Sequence, residues 1–158
     1  MVNEVSSADD QVLQWGTFRL DDEVYGINVV QIREVLRYTD ITPVPGAPVY
    51  VSGIINLRGN VVTVIDTRTR FGLPPGEINN SSRIVIVEVD SQVLGMLVDS
   101  VADVTYINQS EIEVTPNVGN AETAKFIQGV CNKNDQLLIL IELERMIETT
   151  ETNGVMAF

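Results

Sequence analysis

The chain has 158 residues, 44% hydrophobic and 20% charged, enough for one domain or two small ones sharing a core. Its formal net charge of −12 opposes a phosphate backbone or an anionic lipid surface, so neither nucleic-acid binding nor direct membrane insertion is expected. No histidine is present and Cys131 is the only cysteine, which excludes a Ser-His-Asp triad, imidazole metal sites, an intrachain disulfide and paired-cysteine zinc sites.

The N-terminal dozen residues are polar and acidic and read as a mobile tail without the apolar core of a signal peptide. Trp15 to Leu20 alternates like a half-buried strand, Asp21-Asp22-Glu23 makes a polar turn, and Val24 to Val30 resumes as a strand, so the pair is predicted to be a hairpin. Gln31 to Tyr38 fits either one helical turn or a strand. Pro43, Pro45 and Pro48 make 41–48 a loop, because proline cannot donate to a ladder. Two β-branched runs, Val51 to Leu57 and Val61 to Ile65, flank the tight turn Arg58-Gly59-Asn60.

Gly72 to Ser82 reads as an internal linker. Arg83 to Val89 and Val93 to Val98 form a further hairpin. Asn108 to Lys125 is a polar stretch with room for one short helix, and Ile127 to Cys131 and Leu137 to Ile141 are the last strands. Glu142 to Glu148 is predicted as a short amphipathic helix, with a frayed end from Thr149. The longest apolar runs are strand-sized, well short of the roughly 20 residues of a membrane-spanning helix. Short strands without long crossover helices argue against a parallel α/β sheet and for small, mainly antiparallel barrels or a sandwich.

The chain also resembles itself. Val24, Gly26 and Val29 fall opposite Val93, Gly95 and Val98, and Ile32, Glu34 and Val35 fall opposite Val101, Asp103 and Val104. Gly53-Ile54-Ile55-Asn56 aligns with Gly129-Val130-Cys131-Asn132, and the runs that follow end in Ile65-Asp66 and Ile141-Glu142. Either half alone would leave an apolar face exposed, so two similar barrels packed together, with a groove between them, are expected.

No residue pattern positions a catalytic pair, a metal cluster or a phosphate loop. Arg58 at a hairpin tip is a candidate partner contact, although a lone tip arginine is more commonly just solvated. Glu34 could pair with it across a groove, though an exposed ion pair contributes little stability. Ile32, Val35 and Leu36 are most simply core residues, or a docking surface for a helix if the groove opens beside them. Cys131 reads as a buried small hydrophobe.

Three blocks in order point to a known family. Tyr25-Gly26-Ile27 with Val30-Gln31-Ile32-Arg33-Glu34-Val35, then Gly53-Ile54-Ile55-Asn56-Leu57-Arg58-Gly59-Asn60-Val61-Val62 leading into Val64-Ile65-Asp66 and Arg68, then Gly95-Met96-Leu97-Val98-Asp99-Ser100-Val101, resemble CheW, the chemotaxis coupling family. The resemblance spans roughly 15–148. It implies an all-β, mainly antiparallel fold of two SH3-like five-stranded barrels, intertwined over roughly 13–73 and 81–141, with a C-terminal helix at 142–148.

It also implies a cytoplasmic, non-enzymatic adaptor without cofactor or metal. Its partners would be the cytoplasmic tip of methyl-accepting chemotaxis receptors and the regulatory domain of the histidine kinase CheA. The family's receptor-binding glutamate and arginine fall on Glu34 and Arg58, with Val29, Ile32 and Leu36 lining the groove and Arg83 near it; the kinase contacts are not assigned to residues. Thr63 stands where the family usually has proline and Thr67 where it usually has leucine. An adaptor for a pilus-type chemosensory system is the nearest alternative, and a small-ligand barrel using groove carboxylates the more distant one.

Overall fold

The computed structural model describes residues 11–114 and 120–146. Ten strands form two five-stranded sheets. They are β1 (Val12–Leu20), β2 (Glu23–Asn28), β3 (Ile32–Arg37), β4 (Val51–Leu57), β5 (Asn60–Asp66), β6 (Arg83–Val89), β7 (Gln92–Val98), β8 (Ser100–Asn108), β9 (Ile127–Lys133) and β10 (Gln136–Ile141). The described residues also form two single-turn helices, α1 (Thr67–Arg70) and α2 (Ala121–Ala124), and two 3-10 turns. A further helical turn over 143–146 opens the predicted C-terminal helix, whose last two residues lie outside the described residues, as do most of the N-terminal tail and the end from Thr149.

The first sheet runs β8-β1-β2-β10-β9 and the second β3-β6-β7-β5-β4. Each is an open, curled SH3-like sheet of mainly antiparallel pairs with one parallel pair, β2 with β10 and β5 with β7. The internal repeat is visible in this order. Each sheet joins the opening hairpin of one half to the three following strands of the other half. The linker at 72–82 therefore does not divide the sheets: β6 and β7 lie beyond it yet complete the sheet begun by β3 to β5. The parallel pairs make this exchange possible, since a strand can join its parallel neighbour only after a long excursion. Here that excursion is the linker and the other strands rather than a crossover helix.

Period-two alternation sorts the strands into three cores. Ile84 and Ile86 of β6 pack with Ile55, Val62 and Val64 inside the second sheet. Leu138 and Leu140 of β10 pack with Trp15, Val24, Ile107 and Cys131 inside the first. The alternate residues Val85, Val87, Ile139 and Ile141 face a third core between the sheets, the largest of the three. Strands buried on both faces read as continuous apolar runs, as these do. Phe18, Tyr25, Phe71 and Phe126 form a ladder through the shared core, with successive ring centroids 5.6, 5.3 and 5.8 Å apart. Burial, followed by the nearby charges of Glu23 and Asp21, pushes the Tyr25 hydroxyl up to about 12.

At one end of the sheets Arg68 of α1 ties the halves together. Its Nε donates to Asp99 Oδ1 at 2.8 Å and its Nη2 to Asp99 Oδ2 at 2.7 Å, while Nη2 also pairs with Asp21 at the tip of the β1–β2 hairpin. Burial raises the Asp99 carboxyl, but the Arg68 hydrogen bonds and the Asp21 N–H outweigh it and hold the group below its ordinary range.

Candidate functional site

The ambiguous segment 31–38 resolves into a 3-10 turn (Val29–Gln31) followed by β3, the edge strand of its sheet. The Asn28 side chain caps the turn by accepting from the Val30 N–H at 3.1 Å. β3 then pairs with β6, Ile32 opposite Val87 and Glu34 opposite Ile86, so Arg33 is the extra residue of a bulge. A bulge shifts the alternation by one residue. Ile32 and Val35 therefore face the inter-sheet side with Val87 and Val85, while Glu34 and Leu36 face the interior of the second sheet with Ile86 and Ile84.

On the interior side, Glu34 meets Arg58. The β4–β5 hairpin turns through Arg58 and Gly59, both at positive φ (51° and 88°), as a two-residue hairpin with primed turn geometry requires. Asn56 Oδ1 accepts from the Gly59 N–H at 2.9 Å and braces the turn. The sheet curls until the tip reaches its far edge, where both guanidinium Nη atoms donate to Glu34, Nη1 to Oε1 at 3.3 Å. The hydrogen bond from Arg58 holds the Glu34 carboxyl below the usual carboxylate range. The Arg58 side chain is 69% exposed against 30% for Glu34, so the arginine covers the glutamate and presents a cation outward. Arg33 makes a similar pair with Glu88 on β6.

On the other side, an apolar groove of about 170 Å³ opens between the sheets, lined by Val29, Ile32 and Val35 on one wall and Val101 and Val104 on the other. Gly16 allows the close approach: a Cβ there would sit 2.4 Å from Ile32 Cδ1. Val101 and Val104 are the repeat counterparts of Ile32 and Val35. The groove thus has one edge strand, β3 or β8, on each side. Val35 and Val104 are 45% and 46% exposed and face each other across it, so the groove opens to solvent as an apolar patch.

The structure thus brings Glu34 and Arg58 together, and Val29 and Ile32 together, but places the two sets on opposite faces of β3. Leu36 turns away from the groove, because the bulge gives its place to Val35, and packs, as do Leu57 and Ile41, against the core inside the second sheet. Arg83 stands opposite Arg37 at the far end of the β3–β6 pair, outside the groove lining. Sequence reading also leaves β8 without a strand, although the alignment of Val101, Asp103 and Val104 with β3 carries the signal for it. Among the described residues no three carboxylate or thiol groups cluster to hold a metal.

The family model for the CheW-like domain matches residues 14–151. The chain is 34% identical to the chemotaxis protein CheW of Rhizobium meliloti, over 85% of this chain and 86% of that protein. It is 32% identical to the CheW of Thermotoga maritima, over 84% of this chain and 85% of that one. Among solved structures, the scaffolding protein TtCheW of Thermoanaerobacter tengcongensis superposes with a TM-score of 0.76 at 35% identity, covering 82% of this chain and 88% of that one.

Proposed function

The chain belongs to the CheW family, a family of non-catalytic scaffolds in chemotaxis, and from that premise we propose that it couples methyl-accepting chemotaxis receptors to the histidine kinase CheA. The observation that carries the reading is the apolar groove between β3 and β8, with the Glu34–Arg58 pair on the reverse face of β3. A helix with an apolar stripe fits such a groove. Because β3 is an edge strand, a partner lying along its free edge meets the groove on one side and the Arg58 cation on the other. The receptor's helical tip is that partner. The kinase's regulatory domain docks elsewhere on the sheets, and two different contact faces allow heterologous links that extend into arrays. Weak individual contacts suffice, since tethered partners act at high effective concentration. The protein works on the cytoplasmic side; among the described residues no helix is long and apolar enough to cross a membrane.

Arg58→Glu and, separately, Val35→Asp test the reading by titration calorimetry against a receptor-tip fragment and the kinase regulatory domain. Each variant is expected to weaken receptor binding about tenfold or more, with an unchanged thermal midpoint and intact kinase binding. Normal receptor binding by both would overturn the docking site. Loss with Val35→Asp alone would remove Glu34 and Arg58 from the receptor contact.

A further inference from the structure

A second concave surface lies further along β3 and β6, on the same face as the groove. It is a cleft of about 630 Å³ lined by Arg37, Tyr38, Ile78 and Arg83 and by the 79–82 turn. Arg37 and Arg83 are direct partners in the antiparallel register. Like charges in that position oppose sheet formation. The chain has 10 lysines and arginines against 22 aspartates and glutamates, yet two of these few cations stand side by side with no carboxylate between them. Among the described residues Arg37 is in none of the ion pairs. Arg83 donates only through Nη1, to the carbonyls of Asn80 at 2.8 Å and Ser82 at 2.9 Å, which orients its guanidinium and leaves Nε and Nη2 for another acceptor. The wall that holds it is itself braced: Ser82 Oγ accepts from the Asn79 N–H at 2.9 Å and Asn79 Oδ1 from the Ser81 N–H at 2.8 Å.

Folding gains nothing from this pair, but recognition does. Two adjacent guanidinium groups, one held by carbonyls, offer parallel donors matched to carboxylates. We propose that the Arg37–Arg83 cleft is a docking site for an acidic segment of a protein partner. Glutamate or aspartate carboxylates bridge the two arginines, and an apolar residue of the segment rests on Tyr38 and Ile78. The site does not depend on the receptor and kinase partners inferred above. Its place two residues along β3 from Val35 lets one partner reach both the groove and the cleft, since two residues of strand span roughly 7 Å.

Titration of the isotope-labelled full chain with a synthetic hexaglutamate peptide, followed by amide chemical shifts, tests this. Shifts are expected at residues 37–38 and 78–83, shrinking as salt is raised and absent with hexaglutamine. Arg37→Glu, at a side chain with no internal partner, is expected to abolish them while leaving the rest of the spectrum unchanged; Arg83→Gln weakens them. No localised shifts, or the same shifts in the Arg37→Glu chain, would overturn the proposal. So would shifts produced by inorganic phosphate but not by the peptide, which would make the cleft a phosphate site.

Discussion

The segment from β4 to α1 and the segment from β9 to residue 146 are the same structure built twice. In each, a glycine on the first strand lies against an incoming extended segment, through the bridges Thr42 to Ile54 and Glu113 to Val130. In each, a two-residue hairpin follows, with Arg58-Gly59 at one tip and Asn134-Asp135 at the other, all four residues at positive φ. Each ends in a helical turn whose inner positions are Thr67 and Arg70 in one copy and Leu143 and Met146 in the other, all buried. The second copy chooses residues that suit their sites: asparagine tolerates the left-handed region, and leucine and methionine suit a core. The first copy puts an arginine in the left-handed turn, a threonine hydroxyl Oγ1 in the core without a hydrogen-bond partner, and a buried arginine, 4.3 and 4.7 Å from the ring centroids of Tyr50 and Phe126. Glu34 has the Arg58 tip to pair with, whereas its counterpart Asp103 has Asn134 at the corresponding place. Local rules are broken in the first copy, at its hairpin tip and in its buried helical turn, and kept at the matching positions of the second.

The comparison can be broken first at the two glycines. Gly53 adopts φ 149°, and a Cβ there would lie 2.1 Å from the Thr42 carbonyl oxygen, so Gly53→Ala is expected to cost about 3 kcal/mol or more by denaturant unfolding. A Cβ at Gly129 would lie 2.7 Å from Ile112 Cγ2 and 2.9 Å from the Glu113 carbonyl oxygen but without the positive φ, and Gly129→Ala is expected to cost about 1–2 kcal/mol. Equal losses would mean that the copies carry the same strain.

The ionic tie between the halves comes next. Asp99→Asn removes one partner of Arg68 and is expected to cost about 2 kcal/mol at neutral pH. The folded-state carboxyl titrates below its ordinary value of 3.8, so its contribution is full above that value and is lost as pH falls through the lower, folded one. The native chain should therefore lose more stability than Asp99→Asn on acidification from neutral pH to below pH 3.8, and the two unfolding curves should converge.

Smaller effects sharpen the contrast. Thr67→Val removes the unpaired buried hydroxyl and should stabilise by about 1 kcal/mol, read as a raised thermal midpoint. Arg58→Asn gives the first tip the residue its counterpart has. It should raise the midpoint by a few degrees while weakening receptor binding, so that stability and docking move in opposite directions.

Most strands were legible because their signal is local. The β-branched runs from Val51 to Leu57 and from Arg83 to Val89 match the observed strands end to end. Turn residues mark the β1–β2 and β4–β5 hairpins, and the family blocks draw attention to Glu34 and Arg58. β8 escapes the local pattern, because an edge strand with Val101, Val104 and Tyr106 exposed lacks a clean buried face.

What the sequence by itself determined is the inventory: eight of the ten short strands, with β3 left open and β8 missed, most of their turns, the doubled pattern and the family with its scaffold role. What only tertiary structure decided is how these pieces face one another. A single extra residue at Arg33 reverses the alternation of β3, trades Leu36 for Val35 in the groove and sets Glu34 on the opposite face. The exchange of hairpins between sheets is equally nonlocal, because it rests on parallel pairing of strands far apart in the chain. Periodicity records which residues are buried, while bulges and partner choice decide against what.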